Sequence, residues 1–260
     1  MTRHFACTET FVAGRCFRLL NRVARRPRSH GRAESANSQY YPIVSKISLV
    51  TSPSVSAAPA GRVGAPLADI YFSVDVESDG PIPGPYSMLS FALVPAGRMD
   101  GNLYTPPAKY DDYFYVELKP ISEQFEEAAL AVNGLDRDCL RREGTEPSEA
   151  MRAAADWLRA RCAGGEPVLV AYPLGFDWSW IHWYFVNFVG TSPFKHSRAF
   201  DLKTAVAVTE GIPISHAGRS RLPKSLMADH AHTHHAADDA IAQAEIFAKL
   251  MTGVGKRRAP

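Results

Sequence analysis

The 260-residue sequence has the composition of an ordinary globular protein, with 46% hydrophobic and 22% charged residues. A chain of this kind can bury one sizeable core. No stretch approaches the roughly 18 consecutive apolar residues of a membrane-spanning helix. We therefore expect a cytoplasmic protein with one main domain and no membrane partner. The four cysteines lack C-x-x-C spacing, so they suggest no cysteine zinc site.

The charge is distributed unevenly along the chain. Residues 1–68 contain ten basic and two acidic residues, a net charge of +8, so the remainder carries −6 of the total of +2. This segment is rich in Arg, Ser, Ala and Pro, a composition that rarely builds a core. We predict disorder for residues 1–68, with an organellar targeting segment as the alternative. The folded domain is predicted at 69–252 and a basic C-terminal tail at 253–260.

Strands and helices are predicted in chain order. The apolar stretch that opens DIYFSVDVESDG is β-branched or aromatic, so it predicts a strand that ends near Gly80. The turns between it and the next two apolar runs are too short for crossover helices, which indicates antiparallel pairing. The remaining pattern predicts further elements in this order: helix 122–132, helix 149–162, strand 168–172, helix 176–188 and a last helix to about Met251. Strands followed by alternating helices and strands predict an α/β fold with a mixed sheet.

Asp75 and Glu77 are two positions apart in the first predicted strand, so their side chains share one face. Crowded carboxylates on a core strand repel each other, and a divalent metal is the usual compensation. The alternative is a pair of solvated acids at the end of a strand. The metal-site interpretation of this pair is supported only if other carboxylates come from elsewhere in the chain.

Asp177 is the second candidate, since it follows strand 168–172 and opens the aromatic helix. Its alternative interpretation is an acid favoured by the helix N-terminus. The aromatic residues of that helix are predicted to pack in the core: Trp178, Trp180, Trp183, Tyr184 and Phe188.

The last helix offers two acids, which the helical wheel separates. Asp239 shares its face with Ile246 and Leu250, so it is expected to face the interior. Asp238 shares its face with Glu245 and Lys249, which we interpret as solvated. Asp239 is therefore the third candidate metal ligand.

His234 lies five residues before Asp239 in a histidine-rich segment, HAHTHH. With an unperturbed pKa near 6.5, histidine can take a proton from water at neutral pH. His234 is therefore the candidate general base. A zinc site in the same run, or a solvated polar loop, are the alternatives.

Taken in order, these motifs resemble the DEDDh exonucleases, the DnaQ-like 3'-5' exonucleases of the ribonuclease H-like fold. The first motif is matched by Asp75, Glu77, Ser78 and Gly80. The second is matched by Val170, Ala171, Phe176 and Asp177. The third is matched by His234, Ala236, Asp239 and Ala240. Two positions depart from the family pattern, because Tyr172-Pro173 stands where His-Asn is common and Asp79 replaces the usual Thr.

The resemblance implies a ribonuclease H-like mixed sheet, with three antiparallel strands first and parallel additions later, flanked by helices. It implies a metal-dependent 3'-5' exonuclease that acts on single-stranded DNA or RNA 3' ends with two Mg2+ or Mn2+ ions. By resemblance, the metal ligands are Asp75, Glu77, Asp177 and Asp239, and His234 deprotonates the attacking water.

The partners follow from charge and from the resemblance. Because the folded part carries −6, we expect a short single-stranded 3' end as substrate and not a long duplex. The basic stretch between Lys195 and Lys224 is the expected phosphate contact, and Ser78 and Tyr172 are candidate substrate-binding residues. Homodimer formation is left open. The alternative functions are a non-catalytic nucleic-acid-binding adaptor and a zinc-binding protein.

Overall fold

The computed structural model describes residues 67–162 and 164–258. The prediction for the N-terminal segment therefore lies outside the described residues, apart from positions 67 and 68. Within the described part, the strands are β1 (Asp69–Ser78), β2 (Met88–Asp100), β3 (Leu103–Thr105), β4 (Phe114–Glu117), β5 (Glu166–Ala171) and β6 (Ala199–Asp201). The helices are α1 (Glu127–Asn133), α2 (Arg137–Glu143), α3 (Pro147–Cys162), α4 (Leu174–Val189), α5 (Leu202–Glu210) and α6 (Ala236–Arg258).

The strands form one mixed sheet in the order β3-β2-β1-β5-β6, with β4 also paired to β2. The pairs of β1 with β2 and of β2 with β3 and β4 are antiparallel. β5 adds parallel to β1, and β6 adds parallel to β5. The predicted mixed sheet, antiparallel first and parallel later, is confirmed.

Alternation along β1 divides its side chains between two core layers. Phe72, Val74 and Val76 lie in the layer that contains α3 and α4. Tyr71 lies in the opposite layer, where its ring centroid is 4.8 Å from that of Phe247 in α6. Since Asp75 is four positions from Tyr71, strand geometry directs the Asp75 and Glu77 side chains to the α6 side.

Helix α6 packs closely on the sheet because small residues line its first turns. Ala236, Ala240 and Ala244 are completely buried. Their short side chains let the helix approach β1 and β2, and the polar residues beside them come within reach of the β1 carboxylates.

Helix α4 carries the predicted aromatic core residues. Trp180 and Tyr184 are completely buried. Trp178, Trp183 and Phe188 are partly buried and pack against the same cluster. The prediction that these rings pack in the core is confirmed.

Some predicted boundaries differ from the structure for identifiable reasons. Helix α1 begins at Glu127, five residues after the predicted start, because the Ser87 hydroxyl accepts hydrogen bonds from the backbone of Ile121 and Ser122. Helix α6 continues to Arg258, past the predicted end near Met251 and into the predicted tail, although two glycines lie in this extension. The short elements β3, β6, α2 and α5 were not predicted. Within the described ranges, no helix combines the length and the apolar character needed to cross a membrane.

Candidate active site

Three carboxylates meet where β1 ends beside the start of α6. Asp75 and Glu77 come from β1 and Asp239 from the first turn of α6, and one oxygen of each lies within 4.8 Å of the others. They are 8%, 9% and 1% exposed, so water compensates little of their charge. Residues 164 positions apart in the sequence therefore form one oxygen-rich cluster.

Asp177 borders this cluster from the first turn of α4. Its Oδ1 accepts a 3.0 Å hydrogen bond from the backbone N–H of Val76, the residue between Asp75 and Glu77. Asp177 is 4% exposed. It lies outside the three-residue group, but its charge raises the pKa of Asp75.

The pKa values of these acids are displaced towards the protonated form. Burial is the main cause and the neighbouring carboxylates add to it, raising the pKa of Glu77 to about 8. Burial likewise raises the pKa of Asp177 to about 7, and it raises that of Asp75 well above the ordinary value. The protein's own groups therefore do not compensate this cluster when it is fully ionised.

Gln243 lies one helical turn after Asp239 and contacts the cluster directly. Its Nε2 donates a 2.6 Å hydrogen bond to Asp75 Oδ1. The side chain is completely buried, and its Oε1 has no hydrogen-bond partner among the described residues. Sequence reasoning missed Gln243, although the i, i+4 spacing from Asp239 places both on one helix face.

Arg219 is the cation nearest to the acids among the described residues. Its Nη2 is 3.5 Å from Asp75 Oδ1, and its charge lowers the pKa of Asp75, Glu77 and Asp177 against the larger effect of burial. Nη2 also lies 3.4 Å from the Tyr172 carbonyl, and Nη1 lies 2.9 Å from His232 Nδ1. Arg219 belongs to the predicted basic stretch, but the sequence did not single it out.

The basic stretch is divided between two places. Lys195 and Arg198 form ion pairs with Glu166, and Arg198 also pairs with Asp69 at the opposite end of β1. Lys195 and Arg198 are therefore engaged in ion pairs within the protein. The expectation that the whole stretch contacts phosphate is not supported at these two residues.

The loop before α6 brings two histidines to Asp239. One ring nitrogen each of His232 and His234 lies within 4.8 Å of an Asp239 oxygen and of the other. Asp239 Oδ1 accepts a 2.9 Å hydrogen bond from the Thr233 N–H, which fixes the loop to the helix. His234 is exposed and has a φ of 57°, a left-handed conformation that is uncommon for a residue with a side chain.

Glu245 corrects one prediction from the helical wheel. Asp239, Ile246 and Leu250 are buried, as expected, but Glu245 is only 7% exposed and does not face solvent. The histidine loop folds back over α6, and Glu245 accepts backbone hydrogen bonds from Asp229 at 2.6 Å and His230 at 3.0 Å. The Asp238 side chain is 45% exposed, as predicted.

Ser78 and Tyr172, the candidate substrate contacts, are both buried. The Ser78 hydroxyl donates to the Gly80 carbonyl at 2.8 Å, and the Tyr172 hydroxyl donates to the Ala217 carbonyl at 2.7 Å. The Arg219 guanidinium lies 5.6 Å from the Tyr172 ring centre. Their contact with substrate stays a prediction, and stacking of a base on Tyr172 requires Arg219 to move.

Asp79, which replaces the family's usual Thr, has a structural partner. Its Oδ2 accepts a 2.7 Å hydrogen bond from Arg137 Nε, and the pair is almost completely buried. Its Oδ1 accepts from the Ser87 N–H at 2.6 Å. The loop after Glu77 is thus held by a compensated ion pair, unlike the cluster beside it.

The donor set fits divalent cations. Carboxylate oxygens are the ligands of Mg2+ and Mn2+, and cation binding offsets the repulsion that raises the pKa of these acids. The unpartnered Gln243 Oε1 adds a buried acceptor beside the cluster. Asp75, Glu77, Asp177 and Asp239 are the residues available to hold the cations.

Comparison with known proteins gives one relative of substantial identity. The chain is 36% identical to the 3'-5' DNA exonuclease Cap18 of Escherichia coli over 185 residues, which cover 69% of this chain and 90% of that protein. No family model matches the sequence.

Solved structures resemble the fold at low sequence identity. The nuclease domain of 3'hExo, a DEDDh family member bound to rAMP, superposes with a TM-score of 0.54 at 12% identity and covers 73% of this chain and 94% of that one. A 3'-exonuclease that recognises the 3' end of a histone mRNA stem-loop gives the same TM-score and identity, over 72% of this chain. Only 64% of that second protein is matched, so the present chain spans about two thirds of its length.

Proposed function

Because the chain belongs to the DEDDh family of 3'-5' exonucleases, which have the ribonuclease H-like fold, we propose that it cleaves single-stranded nucleic acid by a two-metal, histidine-assisted hydrolysis. The observation that carries this proposal is the meeting of three buried carboxylates at the end of β1, with the buried Asp177 bordering them. The raised pKa values of three of them support it, because an enzyme that uses divalent cations needs such an uncompensated cluster.

The acids are assigned by what each can reach. Asp75 is adjacent to Asp177 through the Val76 backbone and to Glu77 and Asp239 directly, so it would contribute to holding both cations. Glu77 and Asp239 would hold one cation with it, and Asp177 would hold the other. When bound, Mg2+ or Mn2+ supplies charge stabilisation for the attacking and leaving oxygens of the phosphodiester.

His234 is assigned as the general base. Its imidazole is exposed to solvent and adjacent to Asp239, so it can receive the proton of the attacking water. The carboxylates are poor candidates for this task once cations hold them in the ionised form. The hydrogen bond from Thr233 to Asp239 keeps the loop in place while the proton moves.

Arg219 is assigned to the substrate phosphate. Its guanidinium is held at the edge of the acid cluster by Tyr172 and His232. The Arg219 contact with Asp75 is long, at 3.5 Å, and bound cations would weaken it further, so the guanidinium would be available to pair with a phosphate. A short single-stranded 3' end needs few such contacts, in agreement with the net negative charge of the folded part.

We propose DNA as the preferred substrate. The 36% identical relative is a DNA exonuclease, whereas the structures that concern RNA resemble this chain at only 12% identity. Identity as low as 12% supports the fold alone, and the relative of higher identity supports the choice of DNA.

The test uses single-stranded DNA and RNA oligonucleotides of the same sequence, labelled at either end, with Mg2+, Mn2+ or chelator. We expect mononucleotides from the 3' end, faster from DNA, and no release in chelator. Binding of the oligonucleotide in the presence of Mg2+ without any shortening would instead support the non-catalytic adaptor. The Asp239→Asn variant is the matched control, because it measures any cleavage by contaminating nucleases.

A further inference from the structure

His232 and His234 both lie beside Asp239, but the proposed hydrolysis gives a role in proton transfer to only one of them. The general-base assignment involves His234 alone. His232 is not needed for that step, yet its Nδ1 lies 2.7 Å from Asp239 Oδ2. The two rings contact each other with centroids 4.4 Å apart.

The contacts of His232 Nδ1 conflict with each other. A guanidinium can only donate, so the Arg219 Nη1 atom at 2.9 Å requires a lone pair on Nδ1. That lone pair then also faces the Asp239 carboxylate oxygen. If Nδ1 carries a proton instead, the contact with Asp239 is favourable and the contact with Arg219 is not. A cation bound by the Nδ1 lone pair and the Asp239 carboxylate takes the place of the Arg219 donor and removes the repulsion between the two ligands.

We propose that His232, His234 and Asp239 form a second metal site, which takes Zn2+ or a similar borderline cation and blocks the nuclease reaction. Two imidazole nitrogens and one carboxylate oxygen favour Zn2+ over Mg2+, whose ligands are oxygens. Three protein ligands with a fourth position open to solvent are a common zinc arrangement.

The separations suit such a site after small movements of the side chains. The three ligand atoms lie within 4.8 Å of one another. Tetrahedral zinc with ligand distances of about 2.1 Å requires separations of about 3.4 Å. Both histidines are exposed, so their rings can make the adjustment of roughly 1 Å without disturbing the core.

Occupation of this site excludes catalysis because the two sites share groups. Asp239 also belongs to the oxygen cluster with Asp75 and Glu77. Zinc bound to His234 takes the lone pair that would accept the proton from water. This inference therefore rests on the proposed function for its inhibitory effect, but metal binding itself does not.

The test compares the full chain with His232→Ala, with His232→Asn and with His196→Ala, a control in another exposed histidine. Zinc binding is measured by calorimetry, and Co2+ substitution is followed by its visible absorption. Inhibition by Zn2+ is measured against the Mg2+-supported activity of each variant. With Mg2+ in excess to occupy the acid cluster, we expect zinc binding in the starting protein and the control, and an affinity at least about tenfold weaker in both His232 variants. The zinc concentration that halves activity should shift in parallel.

Each result decides between the two proposals. Unchanged zinc affinity in both His232 variants would overturn the second metal site, whatever the activity. Weakened zinc binding with no change in zinc inhibition would overturn its inhibitory role. Absence of Mg2+-dependent cleavage in the starting protein, with zinc binding still dependent on His232, would overturn the nuclease proposal and retain the metal site.

Discussion

The two ends of strand β1 carry the same kind of side chain in opposite electrostatic states. At its start, Asp69 pairs with Arg198, and the neighbouring Glu166 pairs with Lys195 and Arg198. The hydrogen bond and charge of Lys195 lower the pKa of Glu166. At its other end, burial and mutual repulsion raise the pKa of Asp75 and Glu77. Acids that the chain neutralises itself are structural, and acids that it leaves uncompensated indicate a cation from outside.

The largest expected effect is a loss of turnover in a variant at the acid-cluster end of β1. Asp75→Asn should reduce turnover by at least about 10⁴-fold, because removal of the shared ligand loses several kcal/mol of charge stabilisation. The same variant should unfold at a higher temperature than the starting protein in chelator, since the amide oxygen can still accept from Gln243 without the repulsive charge. Steady-state kinetics and thermal unfolding measure both effects.

Asp69→Asn is the matched control at the other end of the strand. It should retain the activity of the starting protein, because Asp69 lies with Arg198 away from the acid cluster. Equal losses of turnover in the two variants would remove the distinction between the two ends.

His234→Ala should lower turnover by about 10³-fold while metal and DNA affinity stay within a fewfold. The imidazole accepts a proton, whereas the carboxylates hold the cations. Single-turnover cleavage and binding measured separately distinguish these effects. Unchanged turnover would remove the general-base assignment from His234.

Stability of the metal-free protein should depend on pH in the direction set by the acids at the end of β1. Their pKa in the folded state is raised, to about 8 for Glu77 and about 7 for Asp177, so folding favours the protonated form. This stabilisation is complete below the unfolded pKa near 4 and is lost as the pH rises to about 8.

The midpoint temperature of unfolding, measured in chelator, should therefore fall by at least about 5 °C between pH 5 and pH 8. Mg2+ or Mn2+ should restore the unfolding temperature at pH 8 and have little effect at pH 5. A temperature that does not vary with pH would show that the acids are compensated by the protein itself.

The smallest expected effect compares two arginines from one basic stretch. Arg219→Ala should weaken oligonucleotide binding roughly five- to tenfold. It should also lower the slope of log affinity against log salt concentration by about one, the value of one phosphate contact. Arg198→Ala should leave binding unchanged and cost less than about 1 kcal/mol of stability, because its ion pairs are partly exposed. Binding titrations at several salt concentrations make the comparison.

Much of the fold could be predicted because it depends on local patterns. Two-residue alternation around Asp75 predicted its strand and face, and the helical wheel predicted that Asp239 faces inward. The order of the motifs along the chain then predicted the family. These signals are strong where regular secondary structure fixes the direction of a side chain.

Apart from Gln243, which shares a helix face with Asp239, the residues that the sequence analysis missed or misplaced depend on loops that fold back over regular elements. Glu245 lies on a helical face that would be solvated, but the loop at Asp229 and His230 covers it. Arg219 reaches Asp75 only because the segment after α5 returns to the end of the sheet. Such tertiary contacts have no periodic signal in the sequence.

The left-handed backbone at His234 has an energetic consequence for the evolution of this loop. A side chain in that conformation costs about 1 kcal/mol, a strain that glycine avoids. His234→Gly should therefore yield a more heat-resistant chain than His234→Ala, and both should be equally slow nucleases. Selection for thermal stability alone would favour glycine at this position, so the imidazole is retained for its chemistry, as a base or as a metal ligand.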